Sequence, residues 1–326
     1  MKFKKKLLMG IEVTKAKLFK KKIPIVISWA ITNRCNQRCK YCGGWKKKTN
    51  ELSTKQVFSI IDQLKLLGCI QIIFTGGEPL LRNDIVNIVD YCKKNDILVR
   101  INSNGSLLKE RVNDIKNVSS LTLSLDGPEK IQDQLKSKGS YKQIIDAIEI
   151  AKKNNINLSF ITVISKQNLE YLEYVIKIAK KYGISVYFQP VYLIYHLQNI
   201  ERFKPSAESY KRRIDWLINL KKNSNCLVGN SLPGLRHLRN WPKPNRIKCA
   251  NLIRYRIEPN GDIYPCGRLV GKINPQNCIT IGLEEAINRT NITSCNYCWC
   301  ARDVELNLAY SLNISVITNL LKTMLK

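Results

Sequence analysis

Between residues 23 and 190, short apolar runs alternate with longer stretches whose apolar positions recur every three or four residues. That is the pattern of strands alternating with amphipathic helices. Runs at Ile23–Thr32, Ile70–Thr75, Ile97–Ser103, Leu121–Asp126, Leu158–Ile164 and Ser185–Pro190 predict six strands. The first intervening helix opens at Ser53, with Gln56 completing a capping box, and stops at Gly68, which is free to take a left-handed turn. Further helices are expected over about 83–95, after the third strand, from Ser140 with Gln143, and up to Gly183. Repeated βα units of this length mean a parallel sheet with helices outside, either a barrel or a doubly wound sheet.

One detail favours the barrel. In Leu121-Thr122-Leu123-Ser124-Leu125-Asp126 the leucines alternate with polar residues, and Arg100, Asn102 and Asn104 repeat the pattern one strand earlier. A parallel strand covered by helices on both faces should be apolar throughout. A barrel strand instead turns polar toward its C-terminal end, where barrels place their ligands. After this region come a less regular bridge (191–248) with a helix over about 207–222, a cysteine-rich segment (249–303) with a hairpin signal at Asn260-Gly261, and a terminal helix over Val304–Lys326.

Composition changes this picture in two places. The formal charge is +29, mostly lysine, densest at Lys2, Lys4–Lys6, Lys15, Lys17 and Lys20–Lys22. A chain rich in lysine, isoleucine and asparagine throughout accounts for part of that excess; the rest points to a polyanionic partner, nucleic acid or an anionic membrane surface. Leu7, Leu8, Ile11, Leu18 and Phe19 fall near one helical face, as in a helix lying on a membrane or one closing the bottom of a barrel, and the second reading is preferred. The apolar stretch Leu7-Leu8-Met9 is too short for a secretory leader, and no run approaches the ~20 apolar residues of a membrane span. The second feature is twelve cysteines, clustered rather than scattered. Without a leader they read as reduced, cytoplasmic thiols open to metal.

The strongest chemical signal is Cys35-x3-Cys39-x2-Cys42, in the loop after the first strand. Soft sulfur ligands select zinc, copper(I) or iron–sulfur clusters. A structural zinc site takes four protein ligands. No fourth cysteine lies nearby, and the two histidines, His196 and His237, are distant in sequence. Three ligands leave one coordination position open to a small molecule. The second strand ends in Thr75-Gly76-Gly77-Glu78-Pro79, and Asn102-Ser103-Asn104-Gly105 and Ser124-Leu125-Asp126-Gly127-Pro128 close later strands.

The cysteine triad with Tyr41 before its last member, followed by these strand-end motifs in this order, resembles the radical S-adenosylmethionine superfamily over about residues 24–190. The resemblance implies a partial (β/α)6 TIM-like barrel, with residues 1–23 as a basic helix before it. Cys35, Cys39 and Cys42 would bind a 4Fe–4S cluster whose open iron takes S-adenosylmethionine. Gly76, Gly77 and Pro79 would shape the turn beside the ligand, and Glu78 would accept from its ammonium. Tyr41 would rest against the adenine, and Asn102, Ser124 and Asp126 would meet the ribose. Many relatives carry an arginine, contacting the ligand's carboxylate, where this chain has Lys136.

Downstream, Cys249-x11-Gly261-x4-Cys266 and Cys295-x2-Cys298-x-Cys300 resemble the SPASM and twitch extensions of the same superfamily. They imply a small domain with one auxiliary 4Fe–4S cluster held by Cys249, Cys266, Cys295 and either Cys298 or Cys300, although paired cysteines on hairpins also suit zinc. Cys69 and Cys92 read as core residues, Trp45 as packing of the loop, and Cys226 and Cys278 have no assigned role. The implied function is reductive cleavage of S-adenosylmethionine to a 5′-deoxyadenosyl radical that takes hydrogen from a substrate. An electron donor such as flavodoxin or ferredoxin is a required partner. A peptide ranks first as substrate, a lipid or small molecule at the membrane second and tRNA third; a non-catalytic zinc protein is the reading from another class.

Overall fold

The computed structural model describes residues 2–192, 200–223, 227–244, 247–291, 295 and 297–318. All six expected strands are present: β1 (Val26–Thr32), β2 (Gln71–Gly76), β3 (Leu98–Ser103), β4 (Ser120–Ser124), β5 (Leu158–Ile164) and β6 (Ser185–Pro190), each parallel to its neighbour. Around them lie α1 (Lys2–Leu18), α2 (Thr54–Leu66), α3 (Ile85–Lys94), α4 (Leu108–Arg111), α5 (Glu129–Leu135), α6 (Ser140–Lys153) and α7 (Leu172–Tyr182). After β6 come α8 (Ala207–Asn223), α9 (Leu232–Leu238), β7 (Arg254–Ile257), β8 (Asp262–Tyr264), β9 (Gln276–Asn277), α10 (Leu283–Arg289) and α11 (Ala301–Tyr310).

Local chemistry explains most boundaries. Ser53 and Gln56 exchange side-chain and backbone hydrogen bonds in the expected capping box of α2, and Gly68 takes φ +88° after it. The start of α6 differs from expectation: Ser140 does not cap it. The Asp133 carboxylate at the end of α5 accepts from the amides of Gly139 and Tyr141 and the Ser140 hydroxyl, and so does the capping. Gln143 instead accepts from Gln37 of the cysteine loop at 3.3 Å.

Alternate strand residues divide the barrel. Ile27, Trp29, Phe74, Ile101, Leu121, Leu123, Phe160, Val186 and Phe188 are buried with the apolar stripes of the outer helices in one core. The residues between them, among them Ser28, Arg100, Asn102, Thr122, Ser159 and Tyr187, face inward; Arg100 bonds Ser120, Thr122 bonds Ser159 and Arg302 of α11, and Ser28 bonds Arg256 of β7. The polar alternation seen in β3 and β4 is therefore the lining of the barrel.

Strand β7 was not expected in the sheet. It pairs parallel with β1, Val26 opposite Arg254 through Trp29 opposite Ile257, giving the order β6-β5-β4-β3-β2-β1-β7-β8-β9. The cysteine-rich segment thus shares its first strand with the barrel. The Ala301 amide donates to Gln189 Oε1 on β6 at 3.1 Å, and Asp303 pairs with Arg254 on β7. Both margins of the parallel strands therefore meet at one turn of α11, which closes the gap in the curled sheet. That helix starts at Ala301 rather than Val304. It breaks over 311–313, where Leu312 takes φ +62°, so the expected helix to residue 326 is interrupted.

Helix α1 packs Met9, Val13 and Ala16 against Ile23, Ile25, Val26 and Ile70 at the N-terminal ends of β1 and β2. It closes the bottom of the barrel. Leu8, Ile11, Leu18 and Phe19 are left exposed. Among the described residues no helix is long and apolar enough to cross a membrane.

Candidate active site and second cysteine group

The loop leaving β1 carries the first three thiols and lies directly on the end of β2. The amides of Gly77 and Glu78 donate to the carbonyls of Thr32 and Arg34, each at 2.8 Å. A Cβ at Gly76 would stand 2.2 Å from the Thr32 carbonyl oxygen, and one at Gly77 2.0 Å from that of Arg34. Neither position admits a side chain. The glycines are required by the backbone of the cysteine loop itself, a demand that the sequence reading had placed on the ligand.

Glu78 is fully buried, ahead of the short turn that Pro79 opens. Its Oε1 accepts from the Leu80 amide at 3.2 Å and the Ser103 hydroxyl at 2.9 Å, and its Oε2 from the Asn104 amide at 2.7 Å. Burial pushes its pKa up to about 7, against the pull of these three donors. The carboxylate ties the end of β2 to that of β3.

Burial raises the pKa of all three thiols, Cys39 to about 12. Lys136 opposes that rise at Cys39 and Cys42, and the Gly44 and Trp45 amides oppose it at Cys42. Charge on Cys42 also raises Cys35 and Cys39. Asn104 Nδ2 points at Cys35 Sγ from 4.0 Å, and Trp45 packs under the Arg38 guanidinium at 4.9 Å. The Tyr41 hydroxyl donates to Asp126, which is fully buried and also accepts from the Val163 amide. Lys136 Nζ lies 3.5 Å from Asp126 and donates to the Ser124 carbonyl at 2.7 Å. Asn102 Oδ1 is buried on the inner face with no hydrogen-bond partner. The fold thus brings every residue of the first predicted set to the C-terminal edge of β1–β4.

The second group lies where β7, the turn after β8 and the start of α11 converge, and none of its cysteines is in a disulfide. Burial again dominates: Cys249 is pushed up to about 11 and Cys300 to about 12, and Cys298 is raised well above the usual thiol range. Cys266 and Cys295 raise Cys249, and Cys266 raises Cys298. The Cys300 sulfur accepts from the Tyr192 hydroxyl and the Asp303 amide. Two arginines that sequence reasoning missed stand among these thiols. Arg254, 4% exposed, donates to Cys249 Sγ at 3.9 Å and pairs with Asp303. Arg268 donates to Cys295 Sγ at 3.4 Å and stacks on Tyr297 at 3.8 Å. The available signal was a cation five and two residues after a cysteine, which is weak in so basic a chain.

Cys69 and Cys92 are core residues as expected, and Cys278 is buried with its thiol donating to the Gly261 carbonyl at 3.0 Å. His237 Nε2 meets the Cys298 carbonyl at 3.0 Å, on the backbone side of the group. Cys226 and His196 lie outside the described residues. Among the described residues, no three side chains converge on a single metal-ion position.

Comparison with known proteins agrees with this geometry. Residues 29–179 match the model of the radical SAM superfamily. The chain is 27% identical to the mycofactocin maturase MftC of Mycolicibacterium smegmatis over 259 residues, 74% of this chain and 64% of that protein. It is 31% identical to protein MJ0907 of Methanocaldococcus jannaschii, covering 77% of this chain and 89% of that one. Among solved structures, Streptococcus suis SuiB bound to its precursor peptide SuiA superimposes with a TM-score of 0.67 at 19% identity, over 83% of this chain and 66% of that one. The chain belongs to the radical SAM superfamily, whose members bind a 4Fe–4S cluster and S-adenosylmethionine. It spans just under two thirds of the length of the mycofactocin maturases it matches.

Proposed function

We propose that this chain is a radical SAM enzyme that modifies a peptide, with its reducing site at Cys35, Cys39 and Cys42. The observation that carries the reading is the joining of the three-thiol loop, through Gly77, Glu78 and Tyr41, to the ends of β2, β3 and β4. The residues fit the group: three soft ligands within eight residues of one loop, and an unpartnered acceptor at Asn102 for a ligand hydroxyl. Cys35, Cys39 and Cys42 would hold a 4Fe–4S cluster, which would supply the electron that splits S-adenosylmethionine into methionine and a 5′-deoxyadenosyl radical able to take hydrogen from substrate.

The protein's own part is to bind and orient. Glu78 fixes the turn over which the ligand's ammonium lies, and any contact it makes is added to three donors already present. Lys136, held by Asp126 and the Ser124 carbonyl, sets a cation beside Cys39 and Cys42 and within reach of a ligand carboxylate. Tyr41, Asn102, Ser124 and Asp126 frame the adenosine side. Cys249, Cys266, Cys295 and Cys298 hold an auxiliary 4Fe–4S cluster. Cys298 is favoured over Cys300 because it couples to Cys266; both sulfurs accept hydrogen bonds, Cys298 from Asn307 at 3.5 Å and Cys300 from Tyr192 and Asp303.

The peptide reading draws on the maturase relative and on the SuiB–SuiA complex. An electron donor of the flavodoxin or ferredoxin type completes the system. The exposed Leu8, Ile11, Leu18 and Phe19 on a lysine-rich helix support a peripheral membrane contact, which vesicle binding by the full chain and by a chain lacking residues 1–22 would test. The function itself is tested by anaerobic reconstitution and reduction with S-adenosylmethionine. 5′-Deoxyadenosine is the expected product; none from a protein with full iron and sulfide content would overturn the reading.

A further inference from the structure

Four arginines reach the inside of the barrel, and two of them have an acid. Arg254 pairs with Asp303, and Arg256 donates to Glu258 Oε1 at 2.8 Å. Arg100 on β3 and Arg302 in the first turn of α11 make no ion pair with any described carboxylate. Arg100 donates only through Nε, to the Ser120 hydroxyl at 2.9 Å. Arg302 donates through one amino group, to the hydroxyls of Thr122 at 2.8 Å and Ser159 at 3.2 Å, and lies 4.9 Å from the centre of the Tyr187 ring.

These side chains share one patch. Arg100 stands opposite Ser120, Thr122 opposite Ser159 and Ile161 opposite Tyr187 along β3 to β6. Tyr187 carries the Arg302 guanidinium over its ring and is near enough to Arg100 to act on its charge. A guanidinium carries five N–H donors. Most of those on Arg100 and Arg302 meet no described acceptor, yet none is sealed in protein, so they open onto the barrel interior. Asn102 Oδ1, the next inward position on β3, is an acceptor without a donor. Arg100 and Arg302 are half-buried and face the lumen with no described acid beside them, whereas the same lumen supplies acids to its other two arginines.

We propose that Arg100 and Arg302 bind a carboxylate of the substrate, anchoring it deep in the barrel between the two cysteine groups. This rests on the reading of the barrel as the substrate site of a radical SAM enzyme. The planar fork of each guanidinium matches the two oxygens of a carboxylate. Because Arg302 follows Cys300 by two residues, the anchored end lies on the side of the second cysteine group, and the rest of the substrate extends toward the first.

The test is calorimetric titration of the cluster-loaded enzyme, with S-adenosylmethionine present, using succinate, neutral succinamide and inorganic phosphate as probes. Succinate is expected to bind saturably and succinamide not at all. Arg100→Met and Arg302→Met should each weaken succinate at least tenfold, while Lys152→Gln on the exposed side of α6 should not. Succinate binding that persists in both Met variants, or that is absent from the wild type, overturns the proposal, as does preferential binding of phosphate. If a Met variant fails to hold iron, the corresponding Arg→Lys variant decides: kept charge and lost fork should weaken succinate, and unchanged binding overturns the assignment. Wild-type 5′-deoxyadenosine formation, measured alongside, separates failure of the anchor from failure of the enzyme reading.

Discussion

Burial raises the thiol pKa values of Cys35, Cys39 and Cys42 in one cysteine group and of Cys249, Cys266 and Cys298 in the other, yet the balance of charge around the two differs. Around Cys35, Cys39 and Cys42 stand two buried acids, Glu78 and Asp126, two cations, Lys136 and Arg38, and a neutral amide donor from Asn104. Around Cys249, Cys266, Cys295 and Cys298 stand two arginines aimed at sulfur, with Asp303 countering one of them. A cluster becomes more negative on reduction, so cations and donors directed at its sulfurs raise its potential, and nearby acids lower it. On the proposed reading, the more cationic surroundings of the second group would hold its potential above that of the first, which suits the first to strong reduction and the second to electron uptake.

The largest effect should come from the backbone contact beneath the first group. Gly77→Ala places a methyl 2.0 Å from the Arg34 carbonyl, which the cysteine loop can relieve only by moving. We expect loss of the first cluster's iron and of 5′-deoxyadenosine, with the second cluster's iron retained by analysis. Equal loss at both sites would mean that the two groups are not independent. Next comes Arg254→Met. Breaking the buried pair with Asp303 should cost about 3–5 kcal/mol of stability, read by denaturant titration. The second cluster should also become at least tenfold harder to reduce, about 59 mV for a one-electron couple. A potential that rises instead would refute the charge argument.

A pH dependence should follow for the first site alone. With its pKa held up at about 7 by burial, Glu78 is mostly ionised at pH 8 and mostly protonated at pH 6, and on the proposed reading only the ionised form accepts from the ligand's ammonium. S-Adenosylmethionine affinity should fall about tenfold from pH 8 to pH 6 in the wild type and stay level in Glu78→Gln. The potential of the second cluster should not follow that profile. The smallest change is expected for Arg268→Lys, which keeps the charge but loses the stacked fork over Tyr297: a shift in the same direction as Arg254→Met and smaller, read in the same titration.

What was legible in the sequence was periodic or spaced. Six strands, their helices and both cysteine groups follow from alternation and motif order, and the inward polar face of β4 was visible in Thr122 and Ser124. Strand β7 was not, because Arg254–Ile257 has only four residues, two of them arginine. Pairing with β1 across more than 200 residues leaves no local trace. The same holds for Arg302, whose partners on β4, β5 and β6 are brought to it only by closure of the barrel. The need for glycine at positions 76 and 77 was legible, and its cause was not, since the crowding atoms belong to the loop after β1.

The most direct test of the division between the two groups is an EPR-monitored redox titration of the reconstituted enzyme with and without S-adenosylmethionine. The account predicts two signals, of which only the lower-potential one changes on adding S-adenosylmethionine, and that signal is missing from Cys39→Ala and present in Cys298→Ala. A responsive signal that survives Cys39→Ala and disappears with Cys298→Ala would contradict it.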